Sequence, residues 1–477
     1  MNLHQFLDHH GLSRNPFSEE DAQTDPVFKN HCIVDTRHPT WDKVFGDPAE
    51  PGTAVVFGEK GSGKTAMRLQ IAKHVREWNQ SHSDKRLAVI HYDDFNPFLD
   101  RFADKQQGRR RPEKVLSQWK LWDHLDAILA ITVTGLVDRV LEAQHRPERV
   151  DIQVGPRDVQ QLDRFQARDL LLLAACYDQS TAETYVSRWN RLRKLADFSV
   201  VFSYWDAAVG IGWTVFYVVL LMLLRYYGWL TTLSPWLLHV ILVAGGWVPW
   251  AWRSLRTWWS ARSIVANVRI SNLATSQVYR VLKRFQTAEL ASQPLPRSAR
   301  SDDRYEMLDK LLGILRSWKH QGLLILVDRV DEPHLVNGSP ELMRALIWPL
   351  LDNKFLKYPG VGLKLMLPIE LYRFVEKEGS EFYQRARLDK QNLISSFDWT
   401  AEALADVANA RITACRSGAS SEGLRSWIDT AVSDRRLLEA IGSLRVPRHV
   451  FKFLYQLLVA HCHAHSTDQP SWKISSE

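Results

Sequence analysis

Two apolar stretches dominate the pattern of this chain. Ala207 to Leu224 carries no charged residue, nor does Tyr226 to Trp252, and Arg225 alone parts them. Each can supply the roughly 20 apolar residues with which a helix crosses a bilayer core. Trp205, Trp213, Trp229, Trp236, Trp247, Trp250, Trp252, Trp258 and Trp259 crowd this region, many near segment ends, where an interfacial aromatic belt lies. Arg188, Arg191, Arg193 and Lys194 precede the first stretch, and Arg253, Arg256 and Arg262 follow the second. Basic flanks on both outer sides place both ends in the cytoplasm. The pattern predicts a transmembrane hairpin, about 207–224 and 229–252, with a short external turn near Tyr227 to Pro235. Pro235, Gly245, Gly246 and Pro249 make the second span the less regular, kinked or re-entrant one. Two core helices of a soluble protein are the plainer alternative.

Elsewhere short apolar runs alternate with amphipathic stretches. Thr53 to Phe57, Leu87 to Tyr92, Leu323 to Val327 and Leu363 to Leu367 read as buried strands. Helical periodicity marks Lys114 to Leu141, Arg157 to Leu195, Ser254 to Arg284 and Tyr305 to Lys319. Strands separated by helices predict an α/β fold, a parallel sheet with helices on both faces. From Trp399 onward the pattern is helical: Thr400 to Arg416, Ser421 to Val432, Asp434 to Ile441 and Pro447 to His463.

Composition changes this picture little. At 477 residues, 45% hydrophobic and 24% charged, the chain can hold two or three domains with ample core. A net charge of +7 would favour approach to anionic lipid or nucleic acid without proving either. Met1 to Arg14 lacks the apolar core of a signal peptide. Cys32, Cys176, Cys415 and Cys462 are far apart, which fits a reducing cytosol and no disulfide framework.

The chemistry starts at Gly58-Glu59-Lys60-Gly61-Ser62-Gly63-Lys64-Thr65, which fits G-x-x-x-x-G-K-[ST] without mismatch. An apolar run precedes it and a helical run, Ala66 to Trp78, follows. Glycines let backbone N–H groups turn inward around phosphates, and the helix N-terminus adds positive potential. Lys64 is expected to reach the β- and γ-phosphates of ATP, and Thr65 to ligate Mg2+. The strand Leu323 to Val327 delivers Asp328-Arg329-Val330-Asp331-Glu332. An acid at the end of a buried parallel strand is where such sites hold the metal. Asp328 is therefore expected on Mg2+, and Asp331 or Glu332 on the attacking water.

An apolar strand followed by D-x-h-D-E resembles the second nucleotide motif of the STAND class of P-loop NTPases, grouped with the AAA+ and origin-recognition-type ATPases. Apolar spans inserted between the two motifs resemble the KAP family, although that family tends to show D-D-x-D-R where this chain has Asp328-Arg329-Val330-Asp331-Glu332. The resemblance covers about Asn15 to Asn96 and Tyr305 to His463. It implies a helical lid whose sensor region is similar to Gly442-Ser443-Leu444-Arg445-Val446-Pro447-Arg448, with Arg448 near the γ-phosphate. It also implies an arginine finger near Gln384-Arg385-Ala386-Arg387, from which Arg385 or Arg387 would complete a neighbour's site.

The expected domains are an N-terminal arm at 1–51, a first part of the NTPase core at 52–100, a helical insertion with the hairpin at 101–304, a second core part at 305–398, a lid at 399–465 and a disordered tail at 466–477. The expected protein is an ATPase of the bacterial inner membrane, multi-pass, with both termini cytoplasmic. It would act as a nucleotide-dependent switch or assembly in signalling or anti-phage defence. Its partners would be the lipid bilayer and a second copy or another protein. A non-hydrolysing, nucleotide-gated membrane pore is one alternative. A membrane-tethered ATPase engaging nucleic acid is another, and the lack of a winged-helix region after His463 counts against it. His461, Cys462, His463 and His465 resemble a metal tract but fit a helix C-terminus, where cationic His meets the dipole. The Arg109-Arg110-Arg111 run reads as a solvated loop more than a phosphate contact.

Overall fold

The apolar runs become the strands of a parallel sheet. The computed structural model describes residues 1–32, 36–106, 111–142, 149–200, 205–228, 236–417 and 423–475. Most of the expected external turn and of the Arg109 run lies outside them. The strands are β1 (Ala54–Gly58), β2 (Arg86–Tyr92), β3 (Val150–Asp151), β4 (His320–Val327), β5 (Val361–Pro368) and β6 (Asn392–Ile394). The chain divides into two units, Met1–Phe95 with Lys319–Glu477, and Asn96–Trp318.

In the first unit the strands lie in the order β2-β4-β5-β1-β6. All four pairings are parallel, with Val55 beside Leu365, Val56 beside Ile394, Ala88 beside Leu323 and Ile325 beside Leu363. A parallel sheet needs both faces covered, which is why its strands read as continuous apolar runs. One face packs Val56, Val89, Leu324 and Met366 against Met67, Ile71 and Val75 of the helix Lys64–Ser81. Within β5 stands Lys364, 1% exposed, with burial lowering its proton affinity to a pKa of about 8. Its ammonium donates to the Phe45 carbonyl at 3.0 Å.

The expected N-terminal arm is no separate arm. Phe6, Leu12 and Phe17 share one core with Leu404, Trp427, Phe451 and Leu458 of the C-terminal helices. Arg411, 4% exposed, joins the two parts: it donates to the Pro16 carbonyl at 2.7 Å, pairs with Asp25 and lies over the Phe451 ring. The tail, expected to be disordered, packs as far as it is described. Trp472 stacks on His9 with ring centroids 4.0 Å apart, and Ile474 is 4% exposed. Two apolar anchors set in a polar stretch suffice to hold it. The region expected as a lid holds the helices Ala401–Ala414, Asp434–Ser443 and Pro447–Ala464. Where one helix is expected from Ser421 to Val432, the described part holds only the short turn Leu424–Trp427.

In the second unit the helices Leu121–Val140, Arg164–Tyr177 and Asp302–Ser317 bury almost every apolar side chain. Their contacts put Asp302–Ser317 in this unit. Arg304 and Asp126, both 0% exposed, pair at 3.0 Å, and Tyr177 donates to Asp126 at 2.9 Å. The expected stretch Lys114 to Leu141 breaks at Lys120, whose backbone N–H is capped by Asp123 at 2.8 Å.

Two long helices follow, Trp205–Tyr226 and Trp236–Asn267. The second is one continuous helix with Pro249 inside it. Its pairing with the first is antiparallel: Tyr217 meets His239 at 2.6 Å, Trp213 donates to the Leu242 carbonyl at 2.8 Å, Trp247 donates to Thr214 at 3.1 Å, and Arg253 pairs with Asp206 at 2.7 Å. Gly246 permits the approach, since a Cβ there would stand 2.0 Å from Trp213 Cδ1. Large apolar side chains such as Phe216, Ile241 and Val248 point outward, each more than half exposed. Among the described residues only Trp205–Tyr226 is long and apolar enough to cross a membrane. The helix Trp236–Asn267 is not among such spans: residues 229–235 of the second stretch lie outside the described part, and beyond Trp252 the helix carries Arg253, Arg256 and Arg262.

Candidate functional site

The loop between β1 and the helix Lys64–Ser81 can only be built from glycine at two points. Gly61 and Gly63 have φ of +89° and +98°, in the left-handed region that side chains disfavour. A Cβ at Gly61 would also come within 2.6 Å of Arg448 Cβ. Trp399 pins the loop from outside, its indole N–H donating to the Ser62 carbonyl at 2.7 Å. The Ser62 hydroxyl itself is buried and has no hydrogen-bond partner among the described residues.

Lys64 arches back over the loop and donates to the carbonyls of Gly58 and Glu59 at 2.7 and 2.8 Å. Burial, the largest influence, lowers its proton affinity, while Asp328, Asp331 and Glu370 pull it the other way. Thr65 donates its hydroxyl to Asp328 Oδ2 at 2.9 Å. Asp328 sits where β4 ends, 2% exposed, and its other oxygen accepts from the Arg329 amide at 2.9 Å. Burial raises its pKa first of all, and the Arg68 guanidinium, 3.4 Å away, is the main opposing influence. Arg68 also pairs with Asp93, just beyond β2, so one buried arginine ties together acids from two strand ends.

Asp331 and Glu332 both line the same cavity. Glu332 faces Arg329 at 3.5 Å, and its pKa is raised by burial and then by its acidic neighbours Asp331, Asp328 and Asp21, against the pull of Arg329. Arg448 lines the cavity from the helix Pro447–Ala464, its Nε 3.8 Å from Glu20. The cavity holds about 350 Å³ and reaches from the glycine loop past His38 and Trp399 to Phe28 and Phe451. His38 forms part of its wall, stacked on Phe397 at 3.6 Å, with one ring nitrogen 2.9 Å from the Asp398 carbonyl. Burial lowers its pKa to about 4.

The structure thus brings together Gly58 to Thr65, Asp328, Asp331, Glu332 and Arg448. Arg385 and Arg387 are not among them: both are exposed, do not line the cavity, and Arg385 lies over its own neighbour Phe382. Sequence reasoning passed over Arg68, Glu20, Glu370 and His38. Only Arg68 carried a signal, a charged residue beside the apolar positions Met67, Ile71 and Val75 of its helix.

The residues fit a nucleotide with its cation. A side chain at Gly58 or Gly61 would fill the cradle, and a hydroxyl beside a carboxylate is a hard-oxygen pair of the kind Mg2+ takes together with substrate phosphates. Among the described residues no group of three His, Cys, Asp or Glu side chains is arranged to hold a metal by itself. No family model, curated protein or solved structure matches this chain.

Proposed function

We propose that this chain binds ATP with Mg2+ and hydrolyses it, as a switch anchored in a membrane. One observation carries the reading: a glycine loop at the end of a parallel strand whose Thr65 hydroxyl lies 2.9 Å from the strand-end acid Asp328. Amides of the loop and the Lys64 ammonium would hold the phosphates, and Thr65 with Asp328 would hold Mg2+. Bound there, the cation supplies charge neutralisation at the phosphates. Glu332, with Asp331 as the competing assignment, would take the proton of the water whose oxygen attacks the terminal phosphorus as the bond to the β-phosphate oxygen breaks. Its burial-raised proton affinity suits a base. Arg448 would lower the cost of charge on the terminal phosphate.

The membrane part of the reading rests on Trp205–Tyr226, on its pairing with Trp236–Asn267 and on the outward apolar side chains of both. Together they would form a two-helix hairpin in the cytoplasmic membrane of a bacterium, with the nucleotide site in the cytoplasm.

Calorimetry of ATP binding to Lys64→Ala tests the site. We expect tight Mg-ATP binding to disappear with the fold retained, and wild-type affinity in this variant would remove the assignment. If Asp331→Asn and Glu332→Gln bind ATP normally, one of them should turn over on the order of 100-fold more slowly. Unchanged turnover in both would mean that neither acid serves the water.

A further inference from the structure

We infer that a small basic cleft on the helix Trp236–Asn267 binds a phosphate-bearing anion, with an anionic phospholipid headgroup as its source. This rests on the membrane reading given above. The cleft holds about 30 Å³ and is lined by Arg253, Arg256, Thr257, Ser260, Thr287 and Arg297, closed by Leu290 and Ala291. Arg253 is already engaged, by Asp206 at 2.7 Å and by the carbonyls of Lys283 and Phe285 at 3.2 and 2.8 Å. It shapes the cleft and contributes little net charge. Arg256 and Arg297 are different. Neither has an ion-pair partner among the described residues, and Nε of Arg297 is buried without a hydrogen bond. Burial first, and the Arg256 guanidinium second, weaken the hold of Arg297 on its proton, with Asp303 and Cys176 opposing. The segment carrying Arg297 is fixed in place: Ser263 and Asn267 both donate to its carbonyl at 2.7 Å. Two guanidiniums thus line one cleft without a carboxylate partner among the described residues. Planar guanidiniums match the paired oxygens of phosphates and carboxylates, and the membrane setting decides between the two.

Position and size select the source. The apolar part of the helix ends at Trp252, and Arg253 to Ser260 span roughly 10 Å beyond it at 1.5 Å per residue. The headgroup layer extends about 5–8 Å past the hydrocarbon on each side, so Arg253 to Thr257 fall within it. Trp258 and Trp259, both exposed, flank the same stretch as interfacial residues do. A cleft of this volume admits phosphate oxygens and little else, which suits a ligand whose remainder lies in the bilayer. Basic pockets at the cytoplasmic ends of membrane helices are suited to such headgroups.

The test uses the full chain in neutral detergent, with dioctanoyl phosphatidylglycerol, dioctanoyl phosphatidylcholine and inorganic phosphate as probes, read by native mass spectrometry and thermal shift. We expect phosphatidylglycerol to bind at least about tenfold more tightly than phosphatidylcholine. Arg256→Gln, and more so Arg256→Gln with Arg297→Gln, should weaken it about tenfold, whereas Arg316→Gln, an exposed arginine outside the cleft, should not. The exposed Arg256 keeps the test sound if the double variant misfolds. Inorganic phosphate that binds as tightly, and is lost in the same variants, supports the phosphate chemistry and names free phosphate as its source. Phosphatidylglycerol binding that ignores both substitutions overturns the site. Alkaline-carbonate extraction separates the two readings: a chain released by carbonate sinks the membrane reading, while an embedded chain with unchanged lipid binding in the variants sinks the cleft alone.

Discussion

Arg68 shows how a single residue can organise a site from behind. Its side chain is 2% exposed and pairs with both Asp93 and Asp328. Removing one partner of a buried ion pair leaves an uncompensated charge, at a cost of roughly 3–5 kcal/mol. Arg68→Met should therefore lower stability in urea unfolding by about 3 kcal/mol, and a loss under 1 kcal/mol would mean the carboxylates find other partners. His38 adds an acid-sensitive contribution. Its pKa falls from 6.5 to about 4 on folding, so the unfolded chain takes up the proton first. The contribution is intact above pH 6.5, erodes as pH falls, and is gone below about pH 4, for a total of about 3 kcal/mol. Unfolding midpoints at pH 7 and pH 5 should diverge less in His38→Gln than in wild type; an equal divergence would place the sensitivity elsewhere.

At the scale of elements, the long apolar runs were readable because burial on both faces leaves a continuous signature. Leu323 to Val327 became β4 extended back to His320, and Leu363 to Leu367 became β5. β6 escaped because only Ile394 of its three residues is buried, so nothing in Asn392-Leu393-Ile394 marks it as a strand. Gly58 to Thr65 and Asp328 were legible for a similar reason: each is a local device, complete within a few residues. Glu370 and His38 reach the cavity, and Arg68 reaches Asp328 behind it, only because distant elements pack, and that packing is not encoded in any local pattern. Gly246 belongs to the same category. The sequence marks it as an irregularity, whereas in the structure it lets Trp213 sit against the helix backbone. Gly246→Leu should force the helix pair apart and lower the stability of the detergent-solubilised protein by about 2 kcal/mol, in the range of overpacking. An unchanged melting temperature would show that the pair does not hold this geometry in solution.

For the whole molecule, the first unit is made of two sequence segments, Met1–Phe95 and Lys319–Glu477, whose strands β2 and β4 pair directly. That continuity implies that the apolar helices can be excised without dismantling the sheet. A chain with 207–252 replaced by a short flexible linker should be recovered in the soluble fraction and should bind ATP with wild-type affinity. On the membrane reading, full-length protein should resist carbonate extraction, as a helix that spans the bilayer is held far more firmly than a surface helix. Wild-type protein found wholly in the soluble fraction without detergent would instead make these helices a contact surface for another protein.

The packing of residues 6–28 with the C-terminal helices also sets an order of events during synthesis. Phe6, Phe17 and Arg411 belong to one core, and Trp472 completes it against His9. Residues 6–28 must therefore wait for the C-terminal helices to be made. At about 5–20 residues per second, the helix ending at Asn267 emerges roughly ten to forty seconds before Trp472. On the proposed reading, the nascent chain is committed to the bilayer while its nucleotide cavity still lacks a wall. A half-made copy is already in place but cannot yet fire.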